Sequence, residues 1–160
     1  MIAAAHNPPQ ARVRARRSAV QALYQWFLTG EPMTGIISEF EQDRKELKKA
    51  DGEYFREILS GISTNSEALR DALVPFLDRP LKELDPVTRA VLHLGMYELM
   101  HQPALPLRVV LNEAVELARM FGAEDSYKYI NGVLDQAAQR LRPEAASDLP
   151  AHSRASGNPV

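Results

Sequence analysis

An all-α fold of about seven helices in two small packed bundles follows from three features of this sequence. Apolar residues recur at helical spacing through most segments between Arg12 and Leu141, and glycine or proline marks most of the breaks between them. One segment, Pro86 to Met100, is apolar around most of its circumference, which places it in the middle, where both bundles are expected to share it.

Met1 to Gln10, with Pro8-Pro9, reads as a mobile leader. A helix from about Arg12 to Leu28 buries Ala19, Val20, Leu23, Trp26 and Phe27, and Gly30 with Pro32 stops it. Its start carries Arg12, Arg14, Arg16 and Arg17. Positive charges there oppose the helix macrodipole by about 0.3–1 kcal/mol each, so helix stability does not account for the cluster. From composition alone a solvated basic end is the simpler reading. Gly35 to Leu47 follows as an outer helix with a thin stripe of Ile36, Ile37, Phe40 and Leu47, and Arg44 to Asp51 reads as a mixed-charge surface turn.

A third helix, about Asp51 to Ile62, buries Phe55, Ile58, Leu59 and Ile62. The fourth opens at Thr64-Asn65-Ser66-Glu67, which has capping-box spacing, and buries Leu69, Leu73, Phe76 and Leu77. Pro75 should kink or end it by removing an N–H and crowding the carbonyl four residues back. After a connection holding Leu81 and Leu84, Asp85 caps the central helix and Pro86 takes its first position. Gly95 admits a close neighbour. His93 and His101, eight residues apart and without further ligands, are structural or surface residues, so no metal is expected.

From Leu107 a helix packs through Val110, Ala114, Leu117, Ala118 and Phe121. Gly122 should end it in the left-handed conformation, with Asp125 or Ser126 capping the next helix. That helix packs through Ile130, Val133, Leu134, Ala137 and Leu141. Asn131-Gly132 suggests a hairpin, but its flanks keep a helical period, so Gly132 is read as a close helix contact. Beyond Arg142-Pro143 the chain is rich in Ala, Ser, Pro and Gly and is expected to be a disordered tail.

At 160 residues, 45% hydrophobic and 25% charged, the chain suits one domain that buries about 68–70% of its unfolded surface. The absence of cysteine excludes disulfides, thiolate zinc sites and cysteine nucleophiles. No signal-like start is present and no apolar run reaches the roughly 18 residues of a membrane span, so the expectation is a cytoplasmic protein without membrane contact. The net charge of −2 is unevenly spread: residues 1–30 hold four arginines and no acid, leaving −6 for the rest. An acidic body with one basic end suits a local polyanion contact.

Asn112-Glu113-Ala114-Val115-Glu116-Leu117-Ala118, then Phe121 to Ser126, then Tyr129-Ile130-Asn131-Gly132-Val133-Leu134-Asp135 resemble the C-terminal signature of the NusB family of bacterial transcription antitermination factors. Ala19-Val20-Gln21-Ala22-Leu23-Tyr24 behind the arginines is similar to that family's first helix, and Tyr54-Phe55 and Tyr97-Glu98 keep the order and spacing. The likeness spans roughly residues 10 to 143 and bounds a helical domain at 11–143 between a leader at 1–10 and a tail at 144–160.

The resemblance implies an RNA-binding protein that, with the ribosomal protein NusE, engages the single-stranded boxA element of nascent ribosomal RNA and joins an antitermination complex on RNA polymerase. Carried onto this chain, it implies RNA contacts at Arg12, Arg14, Arg16, Arg17, Asp125, Lys128 and Tyr129. Phe76 is a further candidate base platform. Arginine suits the role through its planar fork and stacking face. Tyr24 matches a family tyrosine on the partner side; Thr88 stands where the family often has an acid, and Glu83 is the candidate to supply that charge. Four arginine–phosphate contacts on single-stranded RNA would give a log–log salt slope of about −2.8, from roughly −0.7 each.

No phosphate loop, dinucleotide glycine pattern or zinc-protease helix is present, and Glu113, Glu116, Glu124 and Asp125 are acids expected on an exposed face and at a helix start. The chain is therefore expected to be no enzyme and to need no cofactor. The competing readings are a helical protein-interaction scaffold and a stand-alone relative of the RNA-binding domain of a ribosomal RNA methyltransferase.

Overall fold

The computed structural model describes residues 9–43 and 45–147, and these form eight α-helices with three short 3₁₀ turns and no strand. Residues 1–8 of the expected leader and 148–160 of the expected tail lie outside the described residues. The chain divides after Thr64 into two compact units.

In the first unit, α1 (Pro9–Thr29) packs against α2 (Met33–Asp43) and α3 (Gly52–Thr64), and a 3₁₀ turn at Lys45–Lys49 lies on α1. Helix α1 begins two residues inside the expected leader, with Pro9 in the first helical position that its fixed φ favours. Ala15, Ala19 and Leu23 recur at four-residue spacing and are fully buried. Trp26 and Phe27, expected in the core, are only half-buried and lean on one another at 5.4 Å between ring centroids in the last turns of α1. The buried rings are instead Phe40 of α2 and Phe55 of α3, 5.8 Å apart, with Tyr54 beside Phe55 in the sequence. Asp51 starts α3: its Oδ1 accepts the Tyr54 N–H at 3.0 Å, and its own N–H donates to the Ala11 carbonyl at 2.9 Å.

The second unit opens with α4 (Ser66–Leu73). The expected capping box does not form, because Thr64 is consumed as the last residue of α3 and Asn65 takes the cap position without a side-chain bond to the helix start. Pro75 acts as expected: the helix stops at Leu73 and tightens into a 3₁₀ turn over Val74–Phe76.

Helix α5 (Pro86–His101) belongs wholly to this unit, where α4, α6 (Leu107–Phe121) and α7 (Ser126–Leu141) pack around it. Every residue from Ala90 to Leu99 is buried. Asp85 caps α5, accepting the Thr88 N–H at 2.9 Å on one carboxylate oxygen and the Thr88 hydroxyl at 2.8 Å on the other. A β-carbon at Gly95 would lie 2.6 Å from Leu134 Cδ1, so α5 and α7 pack closely here and any larger residue would force the Leu134 side chain to shift. The C-terminus of α5 is closed by Arg142, whose guanidinium donates to the carbonyls of Glu98, Leu99, Gln102 and Leu105 at 2.6–3.3 Å.

The α6–α7 break differs from expectation in which residue is left-handed. Gly122 is extended (φ −92°, ψ 173°), whereas Asp125 has φ 69°. Glycine is required for space: a β-carbon at Gly122 would lie 2.8 Å from the Ala118 carbonyl and 2.4 Å from Ser126 Oγ. Aspartate is among the few residues that tolerate the left-handed region. Helix α7 runs uninterrupted through Asn131-Gly132, but its last apolar residue, Leu141, is 41% exposed and Ala138 is buried in its place. Part of the expected tail is ordered, since Pro143–Ala146 form α8 on α7 with Ala146 buried.

Candidate nucleic-acid interface

In the first unit the four arginines do not share one environment. Arg16 is 3% exposed. Its guanidinium lies 5.5 Å from the centroid of the buried Tyr54 ring, and that of Arg12 lies 4.2 Å from the same ring. Arg12 Nε also pairs with Asp51 Oδ2 at 3.8 Å. Arg14 and Arg17 are partly exposed, and no acid, carbonyl or ring among the described residues holds either guanidinium. Tyr24, further along α1, is 40% exposed.

In the second unit, the α7 start gathers Asp125, Lys128 and Tyr129. The left-handed Asp125 turns the chain so that its carbonyl accepts the Lys128 N–H at 3.1 Å. Asp125 Oδ1 and Lys128 Nζ form a 3.7 Å pair in which both side chains are about two-thirds exposed, so solvent screens it and the Lys128 ammonium remains open to an anionic ligand. Tyr129 is partly exposed; its hydroxyl accepts the Asp78 N–H at 3.3 Å, and burial holds the phenol above its ordinary pKa, hence neutral. Arg79 lies over the Tyr129 ring at 5.3 Å and pairs with Asp78 at 2.8 Å; the Arg79 hydrogen bonds keep that exposed carboxylate below its usual pKa. Phe76 is half-buried under Arg140, 5.7 Å from the ring centroid. Each candidate ring therefore already carries an arginine on one face.

Sequence reasoning did not single out Arg79 or Arg140. Both lie far in sequence from the aromatic residue they cover, and nothing in local spacing signals a pairing across 50 or more positions. Nor did it single out Asp51 and Tyr54 as holding the basic helix start, although Tyr54 stood out as a likeness to the family. Of the partner-side candidates, Glu83 is exposed in a 3₁₀ turn at Leu81–Glu83, while Thr88 is 3% exposed and its hydroxyl is committed to Asp85.

His93 is buried, its ring Nδ1 lies 2.7 Å from the Arg89 carbonyl, and burial pushes its pKa down to about 4, so it is neutral at pH 7. Among the described residues no group of three or more His, Asp or Glu is placed to hold a metal, and no helix is long and apolar enough to cross a membrane.

The family model for the NusB family matches residues 13–139. The transcription antitermination protein NusB of Alcanivorax borkumensis is 46% identical over 145 residues, covering 89% of this chain and 96% of that protein. Among solved structures, T. maritima NusB superposes with a TM-score of 0.72 at 32% identity, covering 91% of this chain and 100% of that one. A chain from a crystal structure of NusB and NusE in complex with dsRNA gives a TM-score of 0.69 at 24% identity, covering 83% of this chain and 99% of that one, which at such identity speaks to the fold. With the signature helices, the eight-helix fold and nearly the whole length in agreement, the chain belongs to the NusB family.

Proposed function

We propose that this protein binds the boxA element of nascent ribosomal RNA together with NusE, and so helps assemble an antitermination complex on RNA polymerase. Members of the NusB family are transcription antitermination factors and not enzymes, and this chain is one of them. The observation that carries the proposal is the 46% identity to a transcription antitermination protein across 89% of the chain. Support for a NusE-linked RNA role comes also from the solved complex of a fold relative with NusE and dsRNA.

The residues suit single-stranded RNA. Uncommitted guanidinium groups on α1 offer bidentate phosphate contacts, Lys128 offers a point charge at a helix start, and Tyr129 offers a ring on which a base stacks. Asp125 holds the turn and does not meet phosphate, since like charges repel. On the partner side Tyr24 and Glu83 offer exposed surface, and Thr88 serves the helix start beneath.

A small arginine footprint gives weak binding by this chain alone and a large gain with the partner. Titrating labelled single-stranded boxA RNA at several salt concentrations, with and without NusE, tests this. Affinity should rise strongly when NusE is present; equal affinity in both series would refute cooperative assembly.

A further inference from the structure

We infer that the arginine cluster of α1 is divided into two faces with different jobs: Arg14 and Arg17 meet RNA phosphate, while Arg12 and Arg16 are positioning residues locked to α3 by Tyr54 and Asp51. This rests on the RNA-binding reading and goes beyond it by naming which cations do the binding and which residues hold them in place.

The division follows from helical geometry. At about 100° per residue, Arg12 and Arg16 lie about 40° apart, Arg14 and Arg17 about 60° apart, and the two pairs are centred about 150° from each other. The first pair shares the face of the buried Ala15, Ala19 and Leu23. There one tyrosine ring serves two guanidinium groups, at 4.2 Å for Arg12 and 5.5 Å for Arg16. Asp51, 5% exposed at its side chain, faces Arg12 at 3.8 Å and joins its own N–H to the Ala11 carbonyl at 2.9 Å. Arg16 has too little exposed surface for a phosphate oxygen to reach it, and Arg12 has its charge balanced by Asp51. Neither therefore releases counterions on binding RNA. Arg14 and Arg17 stand on the opposite face without such partners.

The same lock accounts for a basic helix start that the macrodipole disfavours. Two of the four positive charges are held by a carboxylate or an aromatic face, and the α1 start is tied by a backbone hydrogen bond to the start of α3. The end of α1 is thus preorganised before RNA arrives. The arginine contribution to the salt slope is then about −1.4, half of what four contacts would give, from roughly −0.7 per phosphate.

The test is the salt dependence of boxA RNA binding with NusE present, read alongside thermal unfolding of each variant. Replacing Arg14 and Arg17 together by Gln should make the log–log slope shallower by about 1.4 and leave the melting temperature unchanged. Replacing Arg12 and Arg16 together by Gln should lower the melting temperature and weaken binding while the slope stays at its wild-type value. Should that pair fail to fold, Arg12→Gln alone, at a side chain 39% exposed, carries the same comparison. Tyr54→Leu, which removes no charge, should weaken binding about 2- to 5-fold at unchanged slope, and Tyr54→Phe should restore it because the ring face remains. Equal slope losses from the two arginine pairs, or a Tyr54→Leu protein that binds like wild type, would overturn the division while leaving RNA binding intact. A wild-type protein with no salt-dependent RNA binding would overturn the RNA reading itself, and the division with it.

Discussion

Removing the Arg142 side chain should destabilise the protein by about 3 kcal/mol, although it lies just past the end of α7, at the very edge of the expected helical domain. Its three nitrogens donate to four backbone carbonyls: Leu105 at 2.6 Å, Gln102 at 2.9 Å, Glu98 at 3.0 Å, and Leu99 at 3.2 and 3.3 Å. The Leu99 carbonyl is among the last four of α5, which have no partner within the helix, and a cation there also meets the negative end of the macrodipole. Hydrogen bonds from a charged donor are worth about 1.5–3 kcal/mol each. Arg142 is partly exposed, so water replaces some of them, and the net is closer to one or two such bonds than to four. Burial lowers the Arg142 pKa and the nearby Glu98 charge opposes this, leaving the group cationic at neutral pH. For a domain of this size about 3 kcal/mol lowers the melting temperature by roughly 6–12 °C. Arg142→Met, which keeps the stem, should show this drop by calorimetry or circular dichroism, and Arg142→Lys, with one compact charge in place of a fork, should recover part of it. An Arg142→Met protein melting within about 1 °C of wild type would refute the reasoning, because the carbonyls would then be equally well served by water.

Three further outcomes follow from the structure. His93 has an ordinary pKa of 6.5 when unfolded and about 4 when folded, so the unfolded chain binds the extra proton between those values. Its contribution is fully present above pH 6.5 and is lost as pH falls towards 4, by about 3 kcal/mol in all; denaturant titrations in which His93→Gln keeps the same acid dependence as wild type would contradict this. Gly122→Ala should cost about 1–3 kcal/mol by forcing a β-carbon against the Ala118 carbonyl, and urea midpoints would reveal it. Tyr129→Ala should weaken RNA binding about 5- to 150-fold, from a stacking contribution of about 1–3 kcal/mol, whereas Tyr129→Phe should bind nearly as wild type; matching losses in the two variants would assign the effect to the hydroxyl.

Much of the fold was legible because helical periodicity is a local signal. Pro75, Asp85-Pro86 and the largely apolar run from Ala90 to Leu99 each did what their chemistry dictates within one or two turns. Two of the failures come from competition between neighbouring residues and elements for one position. Thr64 ended α3 and so did not cap α4, and Gly122 was needed for clearance from Ala118 and Ser126, leaving the left-handed position to Asp125. Ala146 falls in the expected tail and Arg142 at the edge of the expected domain; their contacts reach back to α7 and α5, and no short-range pattern announces them.

The candidate interface was legible in composition and illegible in detail. Four arginines in six positions stand out in an acidic chain, but their partition between Tyr54 and solvent depends on a residue about 40 positions away. Likewise the arginines over Phe76 and Tyr129 come from elsewhere in the second unit. Sequence pointed to the basic helix and the α7 start as candidates, and the structure assigned environments to their side chains.

The central proposal is that RNA meets this protein at the outward arginines of α1, with the start of α7 in the second unit a separate candidate contact. Amide chemical-shift mapping of the isotope-labelled protein with NusE, before and after adding boxA RNA, tests it most directly. The largest changes should fall on Arg14, Arg17, Lys128 and Tyr129. Changes confined to other helices, or a spectrum unaltered at stoichiometric RNA, would contradict the account.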